Sequence, residues 1–247
     1  MSARLALLLV LVAARALAHP MGNFSIGRHA TLRAERDGLA LTYVVDMAEV
    51  PTYQLHAAMG LEPATAITQA DVEKYRARTA PAWLAQLALS LDGQPLELRA
   101  AEGRAILTPG AGGLPTVRFE TRARAEWPGR PPGAHALAYR DGNFAERVGW
   151  KEVVLIAGEG VAVTTSSVPA SDRTAGLTRY PDEAASAPSS VTEAKAALDF
   201  KVVRRDPRVA PQADGAPRRE PGGLVSTIGL VALACVTIPL LMKRTRA

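Results

Sequence analysis

Cysteine is almost missing from this chain. The single one among 247 residues is Cys235, inside an apolar run close to the C-terminus. No disulfide can staple the rest of the chain, and no thiol is available there for catalysis or metal binding. Aromatic residues make up only 5%, which argues against a face of stacked rings for polysaccharide. An excess of one charge sign is also lacking outside the ends. Of 29 lysines and arginines, Arg4 and Arg15 fall near the start and Lys243, Arg244 and Arg246 at the end; the 24 that remain match the 24 aspartates and glutamates. The pI of 9.6 therefore gives no electrostatic case for a nucleic-acid partner. The glycine-rich stretch at 110–113 is followed by no lysine and no helical pattern, so it is a loop and not a phosphate cradle. No internal repeat and no hydrolase arrangement stands out.

What the ends do carry is apolar sequence. Arg4 precedes an uninterrupted apolar run over 5–14, and Ala16 and Ala18 supply the small residues of a cleavage site. This is the pattern of a signal peptide, 1–18, cut after Ala18. Residues 224–242 contain no charge, and about 20 apolar residues cross a bilayer as a helix. Lys243, Arg244 and Arg246 then hold a short tail, 243–247, on the cytoplasmic side. The expected topology is an exported domain, 19–181, a Pro/Ala/Ser-rich segment and stalk, 182–223, and one membrane helix, so the protein sits in the cell membrane with its domain on the extracytoplasmic side.

Inside the exported part the periodicity is mostly two. Leu39, Leu41, Tyr43 and Val45 alternate, and Arg36-Asp37-Gly38 joins that stretch to 24–34. "LALSLDGQPLEL" reads as a hairpin about Asp92-Gly93. Further short strands are expected over 116–126, 135–139, 150–156 and 160–165, and one more near 200–203. "AEVPTYQLHAAMG" reads as an irregular or briefly helical connection. Thr68 with Asp71 marks a helix start, and Pro81 should kink or split that helix. The sum is a mainly β chain: an antiparallel, Ig-like β-sandwich with a helical insertion.

A cut after Ala18 would make His19 the first residue, followed by Pro20. A terminal histidine offers its α-amine and ring Nδ1 to one ion, a pair suited to nickel, cobalt, copper or zinc. Pro20 has no amide hydrogen, so binding through a deprotonated backbone amide is blocked at that position. Asp46 and Glu49, at the end of the second strand, and His56 are candidate further ligands. His29 falls in a strand and reads as solvated; His135 is the remaining histidine. Asp141-Gly142-Asn143 reads first as a tight turn.

The stretches "AHPMGNFSIGRHATL" and "LTYVVDMAEVPTYQ" resemble the extracytoplasmic N-terminal region of bacterial nickel/cobalt transporter-like proteins, through His19, Pro20, Gly22, Asn23 and Phe24, then Asp46, Ala48, Glu49, Pro51 and Thr52. "YRDGNFAERVGWKEVV" and "SSVPASDRTAGLTRYP" resemble later blocks of that region. The resemblance implies a non-enzymatic accessory module that binds Ni²⁺ or Co²⁺ through His19, Asp46, Glu49 and His56, with a polytopic membrane metal transporter as partner. In that family the outer domain usually precedes a multi-helix transporter, whereas the apolar run here holds no His, Asp or Glu. Two alternatives stay open. One is a structural or interaction ectodomain scaffolding a membrane complex. The other is a copper enzyme with a histidine brace, which needs His56 or His135 beside His19.

Overall fold

The sequence IGRHATLRA of the first strand sets the architecture. Its even-numbered positions Ile26, Ala30, Leu32 and Ala34 are apolar and buried in the main core. That strand, β1 (Ile26–Ala34), turns into β2 (Gly38–Met47), whose odd-numbered residues from Leu39 to Met47 enter the same core. The structure, a computed structural model, describes residues 19–127, 129–181 and 188–201. The expected signal peptide, 1–18, most of the 182–223 segment, the apolar run 224–242 and the expected tail lie outside the described residues. Among the described residues no helix is long and apolar enough to cross a membrane.

Two helices follow, α1 (Glu49–Met59) and α2 (Gln69–Ala85). Pro51 sits in the first turn of α1, where no backbone donor is needed, and Gly60 ends it at φ 73°. The "briefly helical" connection is thus three turns of helix. Thr68 and Asp71 close a reciprocal capping box at the start of α2. Pro81 does not split this helix: Ala80, Trp83 and Leu84 on either side of it are buried and hold the last turns against the sheet.

The remaining strands are β3 (Leu87–Leu91), β4 (Gln94–Pro95), β5 (Arg99–Pro109), β6 (Pro115–Glu126), β7 (Gly133–Asp141), β8 (Lys151–Ala157), β9 (Val161–Ser166) and β10 (Glu193–Phe200). They form one sheet in the order β5-β6-β2-β1-β8 and another in the order β4-β3-β7-β10-β9. Every pairing is antiparallel except β1 with β8, which is parallel. Leu32, Leu39 and Leu41 of the first sheet and Leu91, Leu137 and Leu198 of the second belong to one apolar cluster. Each such leucine contributes roughly 1.5–3 kcal/mol by leaving water. The protein is mainly β, with two helices and two largely antiparallel sheets on a shared core.

Two differences from the sequence reading matter. β5 is an edge strand with most residues exposed, so it shows no apolar alternation. Its free edge is occupied by α2: Gln69 bonds Ala105 O (2.8 Å) and Leu107 N (3.1 Å), and Glu73 accepts from Ala105 N (2.8 Å). The folded region also continues past residue 181. β10 lies between β7 and β9, with Ala194, Leu198 and Phe200 buried at period two. Alanines and charges had disguised that alternation as part of the stalk.

One polar group points into the space between the sheets. Arg28 of β1 is 2% exposed, and its Nη1 lies 3.3 Å from Asp141 Oδ2 on β7. Asp141 also accepts from Tyr43 Oη at 3.2 Å and from Asn143 N at 2.9 Å. The Asp141-Gly142-Asn143 turn is therefore present, and its aspartate doubles as the counter-ion of a buried arginine.

Candidate functional site

The face of β1, β2 and β8 turned away from the core holds the unusual chemistry. Register aligns Gly27 with Asp46, and His29 with Val44 on one side and Glu152 on the other. An outward face of a sheet is commonly solvated, but this one carries a second cover made by residues 167–181. Leu177 packs there with Val44 and Trp150, with Met21 and Tyr180 at the margin. Any Cβ at residue 27 would lie 3.1 Å from both Leu177 Cδ1 and Tyr180 Oη, so the close approach of the cover depends on Gly27.

At one end of this layer stands His19. Its Nε2 lies 2.9 Å from Asp46 Oδ2, and Tyr180 Oη donates to the same oxygen at 3.0 Å. Met21 N–H donates to Nδ1 at 3.3 Å, which makes Nδ1 the acceptor and Nε2 the protonated nitrogen facing Asp46. Ser25 Oγ is 3.0 Å from Nδ1 and donates to Gly22 O at 2.9 Å. Burial, and then the Asp46 carboxylate, pushes the Tyr180 hydroxyl far up, so it remains a donor. A cleft of about 420 Å³ opens beside this group, lined in part by His19, Pro20, Asp46, Arg118, Arg179 and Tyr180.

Glu49 and His56 are not in the wall of that cleft. Glu49 is 1% exposed at the start of α1, and its Oε1 accepts from Ala111 N at 2.8 Å. His56 places Nδ1 2.7 Å from Tyr53 O and Nε2 2.8 Å from Thr65 O, so both nitrogens are engaged with backbone carbonyls. His135 is likewise committed, with Nδ1 2.7 Å from Asp92 Oδ2 and Nε2 2.9 Å from Pro131 O. The bond to Asp92 holds its pKa above the usual imidazole value. Of the four residues singled out from sequence, the fold brings His19 and Asp46 together; it leaves Glu49 and His56 in other contacts.

Farther along the same face lies a group the sequence reading missed. His29, read as solvated, is 1% exposed under the cover. Its Nε2 is 3.4 Å from Asp172 Oδ1 and 4.0 Å from Glu152 Oε2. Neither ring nitrogen makes an aligned hydrogen bond. Glu152 accepts from Trp150 Nε1 (3.0 Å), Thr174 Oγ1 (2.8 Å) and Arg173 N (2.9 Å). The pairing of His29 with Glu152 follows from the parallel β1–β8 register, which no local pattern announces. Asp-x-Thr at 172–174 was the visible signal, since such a pair makes a side-chain-bonded turn.

No family model, curated protein or solved structure matches the chain.

Proposed function

We propose that this chain is an extracytoplasmic metal-handling module of a nickel/cobalt transport system. In this reading it is a β-sandwich domain anchored by its C-terminal apolar run and presenting His19 and Asp46 to the ion. The observation that carries the proposal is the 2.9 Å separation of His19 Nε2 and Asp46 Oδ2 beside an open cleft. Two donors at right angles on one ion, with bonds of about 2.0–2.2 Å, are roughly 3 Å apart. Imidazole nitrogen suits nickel, cobalt, copper or zinc.

The surrounding hydrogen bonds support that use. An ion on Nε2 takes the place of its proton, and the ring must then carry its hydrogen on Nδ1. Ser25 Oγ stands 3.0 Å from Nδ1 to accept it and passes its own hydrogen to Gly22 O, in place of the long 3.3 Å bond from Met21 N–H. This is the outer-shell support a metal-bound histidine ordinarily has. The cleft leaves the other coordination positions open, as handover to a transporter requires. Binding and release make or break no covalent bond of a substrate, so the module is not an enzyme in this reading.

A chelate of the α-amine with Nδ1 would require the ring to abandon Ser25 as well. The two modes separate experimentally. Visible absorption of Co²⁺ added to the host-processed chain is expected to show saturable binding that His19→Ala abolishes. One extra residue before His19 leaves that binding within about threefold if Nε2 and Asp46 are the donors, and destroys it if the amine is one. No Co²⁺ binding by the unaltered chain would favour the interaction-ectodomain reading, in which the two engaged ring nitrogens of His19 serve packing. A copper brace needs a second histidine, and His56 and His135 are each held by their own partners.

A further inference from the structure

Buried imidazoles nearly always have hydrogen-bond partners, and an exception calls for a physical reason. His29 is such an exception, sealed between the first sheet and residues 167–181 with two carboxylates in front of it. We propose that His29, Glu152 and Asp172 enclose a resident divalent transition-metal ion that staples the covering segment to the sheet. This site is distinct from the His19–Asp46 pair and does not rest on the transport reading.

The geometry has the right scale. One ligand atom from each of the three residues lies within 4.8 Å of the other two. Ligands on a tetrahedral ion with bonds of about 2.0–2.1 Å are roughly 3.3–3.4 Å apart, and His29 Nε2 is already 3.4 Å from Asp172 Oδ1. Glu152, 4.0 Å from the same nitrogen, closes to that spacing with a shift of about 0.6–0.7 Å.

The chemistry agrees. Burial pushes the His29 pKa down, which favours the neutral ring whose lone pair a metal uses. Two carboxylates facing a neutral imidazole, one of them buried, form an acidic donor set that a divalent cation suits. Both are held in place by hydrogen bonds, some of them to the oxygens nearest His29. Trp150 and Thr174 hold Glu152, and the backbone N–H groups of Thr174 (2.9 Å) and Gly176 (2.7 Å) hold Asp172. One nitrogen and two oxygen ligands, without a thiolate, fit Zn²⁺, Co²⁺ or Ni²⁺.

A staple has an evident use here. Residues 167–181 contain no helix or strand, and Cys235 cannot provide a disulfide within them. Asp172 is contributed by the cover and His29 and Glu152 by the sheet, so one ion ties the two layers.

The test uses the full chain, processed by its host and carrying no affinity tag. Metal content is measured as purified and after EDTA, and Tm is measured with and without Zn²⁺. The expected result is about one equivalent of transition metal, lost to EDTA, and a Tm rise of roughly 5–10 °C at Zn²⁺ a hundredfold above its Kd. Asp172→Asn keeps an acceptor for the turn while weakening the ligand; it should lose the resident equivalent of metal and most of the Zn²⁺-dependent rise yet fold. His19→Ala should keep that rise. The proposal is overturned if the unaltered chain holds no metal and shows no rise, if Asp172→Asn retains the full rise, or if His19→Ala abolishes it.

Discussion

Replacing Asp141 with leucine should lower the unfolding free energy by about 3–5 kcal/mol, one of the two largest single-residue losses expected in this domain. The reason lies on the other side of the core. Arg28 is 2% exposed, and Asp141 is its one carboxylate within ion-pair distance among the described residues. Removing the acid strands a guanidinium in a low-dielectric interior, and it also orphans Tyr43 Oη and Asn143 N. The penalty comes from the unpaired charge and not from any large net gain of the pair itself. Arg28→Met combined with Asp141→Leu should therefore recover most of the loss. Urea denaturation of the two single variants and the double variant checks this. A loss under about 1 kcal/mol for Asp141→Leu would mean that Arg28 reaches water after all.

Trp150→Ala should be comparably damaging, about 3–5 kcal/mol. Trp150 is fully buried beneath the cover, where it packs with Val44 and Leu177. Its ring meets Tyr180 edge-on at 6.3 Å between centroids, and the Arg173 guanidinium sits 5.3 Å over it. Truncation leaves a cavity under a segment that has no ladder of its own to hold it. It also frees Glu152 from the 3.0 Å bond to Nε1. Trp150→Phe retains most of the apolar contact and loses the donor, so its cost should be nearer 1–2 kcal/mol. Denaturation midpoints of the two variants measure the difference. Equal losses would place the importance of Trp150 in its hydrogen bond and not in packing.

How much of this was legible beforehand varies with the kind of signal. β2 and the β3–β4 hairpin were plain, because Leu39, Leu41, Tyr43 and Val45 alternate and Asp92-Gly93 is a turn with both residues at positive φ. The capping box at Thr68 was equally local. β5 was not legible, since an edge strand whose open side is taken by Gln69 and Glu73 has no apolar face to display. β10 was expected only near 200–203 and in fact spans Glu193–Phe200; most of it was hidden because alanine can fill an inward position next to larger neighbours. For the site, "HPMGNF" and "DMAE" directed attention to His19 and Asp46, 27 residues apart, which the structure sets in contact. Glu49 and His56 were attractive by proximity in sequence, but α1 carries them into contacts with the 110–113 loop and with Thr65. His29, Glu152 and Asp172 come from three separated segments, joined by a parallel pairing and a covering loop. Such a convergence is a tertiary fact that no short stretch encodes.

The central claim is that the sheet face beyond the core, and not the core or the helices, is where this protein meets its ligand. Calorimetric titration of Ni²⁺ into the host-processed chain and into its Asp46→Asn variant tests it most directly. The account predicts one exchangeable Ni²⁺ on the unaltered chain and at least tenfold weaker binding in the variant, with Tm changed by no more than a few degrees. Equal Ni²⁺ affinity in both proteins would contradict it.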